Sequence, residues 1–207
     1  PYKDLCGAGV AYKFIRHLYR VMELPWEDED AYMDILALGT VCDIMPLTDE
    51  NRIFVKHGLR RLTNSTNPGI NALKKALGLD GKPIEVHHLS FRIGPSLNST
   101  GRLESAKGGV ELLLTDDPAR AESLAQDMAK LNELRKEMTD RGVRMATDWV
   151  RKDIRMILTE DGVKEKKIGD DKVIVLYMPG IHESIAGLIA SKLKEAFYRP
   201  TLVFADA

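Results

Sequence analysis

Cysteine is almost missing from this chain. Cys6 and Cys42 are the two present among 207 residues, both in apolar surroundings and without CxxC spacing. That argues against a zinc site or a disulfide framework and makes a reducing cytoplasm the expected compartment. An excess of either charge is missing too: 30 basic residues face 31 acidic ones, for a formal charge of −1. There is no global attraction to nucleic acid, so any site for a polyanion has to be a local patch. No signal sequence, lipidation motif or long apolar span occurs, which gives no reason to expect a membrane partner. Short repeats and low-complexity tracts are also lacking. What is present is an ordinary globular composition, 44% hydrophobic, enough for one large domain or about one and a half smaller ones.

Periodicity then divides the chain. Residues 7–24 carry Val10, Phe14, Leu18 and Val21 at helical spacing behind Gly7 and Gly9, which predicts a helix packed on a sheet through that stripe. The acidic cluster at 26–34 predicts a solvated helix start or turn. An amphipathic helix comes next at 50–62 with Ile53, Val55, Leu59 and Leu62, ended by the NSTNPG turn, and a shorter helix at 70–77 stops at Gly78. Residues 84–93 predict a short helix or an extended piece, broken by Gly94-Pro95 before a loop from Asn98. Residues 118–150 form a long charged helix with Ala121, Leu124, Ala125, Met128 and Leu131 on its inner stripe. The charged string at 161–172 predicts an exposed turn. Strand at 172–178, helix at 184–197 and strand at 200–204 then predict a right-handed parallel crossover.

The most informative stretch is LALGTVCDIMPL at residues 36–47. Its apolar run suits a strand buried on both faces, with Pro46 at the exit. Asp43 is its only charge, and a buried carboxylate needs a cation or donors. Two readings stand side by side: an Asp capping the next turn, or a ligand to a hard metal ion at the edge of a sheet.

Five strings occur in order: LCGAGVAYKF from Leu5, LGTVCDIMPLTDENR from Leu38, RIGPSLNSTGRL from Arg92, LLLTDD from Leu112 and GIHESIAGLIASKL from Gly180. Together they resemble the RecJ-type single-stranded-DNA exonucleases of the DHH phosphoesterase superfamily, over nearly the whole chain. Such enzymes carry their DxD pair, a further Asp and the Asp-His-His triplet upstream of the first string, so the expectation is an internal fragment. The resemblance implies an α/β architecture: the C-terminal part of a DHH-type parallel-sheet domain at 1–116, a connecting helix at 117–152, and the start of a DHHA1-like domain at 153–207. It also implies a two-metal centre of Mn²⁺ or Mg²⁺, with Asp43 as one ligand and a catalytic residue. A lone carboxylate cannot hold two ions, so the fragment is expected to bind metal weakly and to be inactive by itself.

The other candidates come from the same strings. Asn98 and Arg102 match the NAAGR block, here NSTGR, and bracket a turn whose amides, hydroxyls and guanidinium suit a phosphate. Ser99 and Thr100 replace two alanines there. His182, Ser191 and Lys192 match the WHxGVxGIVASRL block, where a helix amino end offers an anion site. Ile181 stands in place of Trp, Glu183 in place of a small residue, and Lys192 in place of Arg, which keeps the charge but loses the planar fork. His87 and His88 lack a preceding Asp and read as surface or packing residues; His17 and His57 read as surface residues.

The expected parent is a metal-dependent exonuclease that degrades single-stranded DNA from the 5′ end in recombination and repair. The alternatives are a DHH phosphodiesterase acting on oligoribonucleotides or cyclic dinucleotides, and a catalytically silent binding module. Protein partners are not readable from the sequence.

Overall fold

A computed structural model describes residues 2–25, 32–103, 105–152, 154–159, 162–167 and 171–206. The chain separates into two compact units, residues 1–131 and 132–207, with the division inside one long helix.

The first unit is helical throughout its described residues: α1 (Gly7–Val21), α2 (Met33–Cys42), α3 (Asp49–Thr63), α4 (Pro68–Ala76), α5 (Val86–His88) running into a π-helical turn (Leu89–Ile93), α6 (Gly94–Leu103), α7 (Lys107–Leu114) and the first part of α8 (Pro118–Lys152). The strand expected around Asp43 is the helix α2. A short continuous apolar run fits a buried helix as well as a buried strand, and α2 buries Met33, Asp34, Leu36, Ala37, Leu38, Thr40 and Val41 on all sides. It passes so close to α3 that a Cβ on Gly58 would overlap the Met33 carbonyl oxygen.

The helix α1 forms where the spacing predicted it, but with its faces exchanged. Val10, Phe14, Leu18 and Val21 are 40–65% exposed, while Gly9 and Tyr12 are buried. Tyr12 stacks edge-on against Phe54 at 5.4 Å, within a small cluster with Met33 and Leu36. The main core gathers Val41, Val55, Leu62, Leu73, Leu89, Leu112 and Met128 from the surrounding helical segments. At its rim α4 is fixed by Asn67, whose side chain accepts from the Ile70 amide at 3.0 Å, with Pro68 in the first turn. Lys74 is 5% exposed. Its ammonium donates to the Leu62 and Thr63 carbonyls at 2.9 and 2.8 Å, closing the end of α3.

The second unit contains the rest of α8, an antiparallel hairpin of β1 (Ile154–Thr159) and β2 (Gly162–Lys167), and the parallel pair β3 (Ile174–Tyr177) and β4 (Thr201–Phe204) connected through α9 (Glu183–Phe197). Strand, helix, strand appears as the spacing predicted, and Ile174, Leu176, Ile185, Ile189 and Leu193 bury the apolar faces against Ala146 and Val150 of α8. The stretch at 161–172 was expected to be a turn, yet Gly162–Lys167 pairs as a strand; Asp161 and residues 168–170 lie outside the described residues, as do 26–31 of the acidic cluster. The whole is an α/β fold. No helix among the described residues is long and apolar enough to cross a membrane.

Candidate functional site

Asp43 is the C-cap of α2, and its side chain is exposed. The expectation of a buried carboxylate is thereby corrected, and the reason is local: α2 ends one residue before it, where the chain turns outward. The turn is a Schellman motif. Ile44 donates to the Val41 carbonyl at 3.1 Å and Met45 to that of Thr40 at 3.1 Å. Ile44 occupies the left-handed position, φ +55°, where glycine is usual, and is 88% exposed. The segment leaving this turn is held by Asn51, fully buried on α3, whose amide donates to the Pro46 carbonyl at 3.0 Å and to that of Asp4 at 2.6 Å.

The second string folds differently from its reading. GPSLNSTGRL is expected to start a loop at Asn98, but residues Gly94–Leu103 are helix α6, which runs on directly from the π-helical turn Leu89–Ile93 with Pro95 just past that wider turn. Its amides are therefore engaged in the helix. Ser99 and Thr100 are buried and donate back to the Ser96 and Leu97 carbonyls at 2.6 and 2.8 Å, which gives these hydroxyls a structural role. Asn98 and Arg102 lie on the exposed side.

Helix α6 and the α2 turn meet at Gly94. A Cβ there would collide with Cys42 Sγ and stand 2.8 Å from the Leu89 carbonyl oxygen. Their approach leaves a groove of about 320 Å³ lined by Cys42, Ile44, Phe91, Gly94, Pro95 and Asn98. Burial, aided by the neighbouring Asp43 charge, pushes the Cys42 thiol up to about 11. It stays protonated at neutral pH and is no metal-binding thiolate.

The third string places its residues on α9. His182 is the N-cap: its Nδ1 accepts from the Ser184 amide at 3.3 Å and lies 2.8 Å from the Ser184 hydroxyl. A capping role thus accounts for a histidine that small-residue packing left unexplained. Ser191 and Lys192 are exposed, and Lys192 is paired with Asp140 of α8 at 2.8 Å. That hydrogen bond holds the Asp140 carboxyl below the ordinary range. His88 caps α5, accepting from the Glu85 amide at 3.1 Å, and His87 sits 3.3 Å from the Glu85 carboxylate. Both belong to a helix start.

The structure thus brings Asn98 to the groove beside the Asp43 turn. His182, Ser191 and Lys192 belong to the other unit. No group of three or more His, Cys, Asp or Glu side chains able to hold a metal ion occurs among the described residues. A two-metal centre does not fit the residues described in this chain by themselves. Residues that the sequence did not single out are Ile44, at a helix end that the strand reading does not contain, Phe91, in a π-helical turn, and Asn51, which matters through its bonds to the Pro46 and Asp4 carbonyls.

An α/β fold in which the turn carrying Asp43 and the helix carrying Asn98 border one largely apolar groove is the class the geometry defines. No family model matches the chain. Among curated proteins it is similar to the single-stranded-DNA-specific exonuclease RecJ of Bacillus subtilis, with 34% identity over 203 residues, 98% of this chain and 23% of the relative. Among solved structures it superposes on an exonuclease RecJ bound to manganese with a TM-score of 0.82 at 32% identity, covering 99% of this chain and 48% of that one. RecJ from Thermus thermophilus in complex with Mg²⁺ gives a TM-score of 0.77 at 32% identity, over 96% of this chain and 29% of that one. The chain is a RecJ-type segment, spanning about a quarter of the Bacillus relative and about half of the manganese-bound structure.

Proposed function

We propose that this chain is the strand-handling part of a metal-dependent exonuclease that degrades single-stranded DNA from the 5′ end, a cytoplasmic enzyme of recombination and repair. The observation that carries this is the meeting of the Asp43 turn with the Asn98 face of α6 around one groove, in a chain similar along its length to proteins named for that activity. Asp43 contributes one carboxylate to a site for Mn²⁺ or Mg²⁺, and a full ligand set is not among the described residues of this chain. Such ions supply Lewis acidity and an activated water. The chain's own part is to present Asp43 at the end of a rigid helix, to contact the strand with Asn98 and Arg102, and to bind it again near His182, Ser191 and Lys192.

In this reading the chain alone binds single strands weakly and cleaves nothing. Labelled single-stranded DNA, RNA and duplex DNA are incubated with the chain and Mn²⁺, and both retention and cleavage are monitored. Preferential retention of the DNA single strand without cleavage supports the proposal. Preference for the RNA strand points to the oligoribonucleotide phosphodiesterase, and cleavage that survives Asp43→Ala overturns the role of Asp43.

A further inference from the structure

Two features of the groove beside Asp43 have no folding explanation. Ile44 is β-branched, yet it takes the left-handed conformation that such residues rarely adopt, and it projects into solvent at 88% exposure. Phe91 is 73% exposed at the middle of the π-helical turn, a wide turn frequently found at functional sites. Its neighbours Leu89 and Ile93 are buried. Strained backbone and bare apolar side chains are retained where a ligand makes use of them. Both residues line the same groove, with Pro95 as a further apolar wall and Asn98 and Ser90 as its polar groups.

The chemistry of the lining selects the ligand. No cation is among the lining residues, so the groove lacks the charge that holds a phosphate strongly. An aromatic ring, an aliphatic wall and an amide suit a flat heterocycle: the faces stack on Phe91 and Ile44, and the amide meets a base edge with both donor and acceptor. Asp43 itself does not line the groove, but both of its neighbours in sequence, Cys42 and Ile44, do.

We infer that Ile44 and Phe91 form a stacking subsite for one nucleobase of a single strand, adjacent to Asp43. This rests on the proposed nucleic-acid function and deepens it. Because every base has a π-face, the subsite holds the strand in register without reading its sequence.

The test uses the 207-residue chain with two fluorescently labelled probes carrying the same number of phosphates, a short oligothymidylate and an abasic analogue. Binding is measured by anisotropy at fixed salt, and melting temperatures are recorded. The wild-type chain is expected to bind the thymidylate on the order of tenfold more tightly than the abasic strand, as one stacked base predicts. Phe91→Ala and Ile44→Ala are expected to remove most of that preference while abasic binding stays, and Phe91→Trp to retain it. Failure of the wild type to bind either probe overturns the nucleic-acid reading together with this one. Equal binding of both probes by the wild type, or an undiminished preference in Phe91→Ala, overturns the subsite alone. A marked fall in melting temperature with Phe91→Ala also overturns it, because an exposed stacking ring adds nothing to the unliganded fold.

Discussion

Helices α2 and α4 end in the same turn and use it for opposite purposes. At α4, Gly78 takes φ +64°, and the amides of Gly78 and Leu79 close onto the Lys75 and Lys74 carbonyls at 3.0 and 2.8 Å. Leu79 is then buried at 1% exposure, Lys82 donates to the Gly78 carbonyl at 2.9 Å, and Arg92 donates to that of Leu77. Every element of that end relieves strain or satisfies an acceptor. At α2 the same pair of hydrogen bonds forms around Ile44, which carries the left-handed penalty of about 1–2 kcal/mol and is left bare. The α4 end closes on itself; the α2 end leaves Asp43 and Ile44 exposed.

The strongest way to break this contrast is to push the α2 end off its support. Gly94→Ala forces α6 away from Cys42 and the Leu89 carbonyl, both part of packed structure, and is expected to cost about 2–3 kcal/mol. Urea unfolding monitored by circular dichroism measures it; a loss below about 0.5 kcal/mol would show that α6 can slide.

Exchanging the two turn residues sharpens the comparison. Gly78→Ile is expected to destabilise by about 1–2 kcal/mol through backbone strain alone, since nothing lies within 4 Å of a Cβ there. Ile44→Gly relieves the same strain, less the extra entropy of glycine in the unfolded chain, for a gain of up to about 1 kcal/mol. Thermal melts of the two single variants and the double exchange check both signs. A destabilised Ile44→Gly would mean that the isoleucine side chain supports the fold.

The smallest effect concerns the exposed pair of the second unit, a control for how little a surface contact contributes. The Lys192 hydrogen bond lowers the Asp140 pKa in the folded state. Its contribution is therefore complete above the unfolded carboxyl value and disappears as the pH falls through the lower folded one. At this exposure the difference amounts to a few tenths of a kcal/mol. Stability of the wild type and of Asp140→Asn should differ slightly at pH 7 and converge in acid. A gap that persists in acid assigns the effect to something other than the charge.

Much of the architecture was legible because it is periodic. The helices α1, α3, α4 and α8 and the β3-α9-β4 crossover show their spacing openly. Three helices were not legible: α7, for whose Lys107–Leu114 run no element is read, and two more for separate reasons. In α2 burial on all sides removed the period that separates helix from strand, and in α6 Gly94-Pro95 reads as a breaker although the helix runs on through it from the π-helical turn. The stripe of α1 shows the limit of amphipathicity: it locates the helix, but which side is covered is decided by Tyr12 meeting Phe54 and by Ala8 lying against Gly39. Asp43 and Asn98 were reachable through resemblance. Ile44 was not, because its interest lies in a backbone angle at a helix end that the strand reading did not contain.

The buried ammonium of Lys74 has a practical consequence. Amine acylation requires a deprotonated, accessible nitrogen, and this one is shielded while its three hydrogen-bond partners at Leu62, Thr63 and Asn71 hold. Exposed lysines label at once; Lys74 labels only when the corner between α3 and α4 opens. Its acylation rate, read by peptide mass spectrometry, therefore counts those openings directly and supplies a local clock for the unit that carries Asp43.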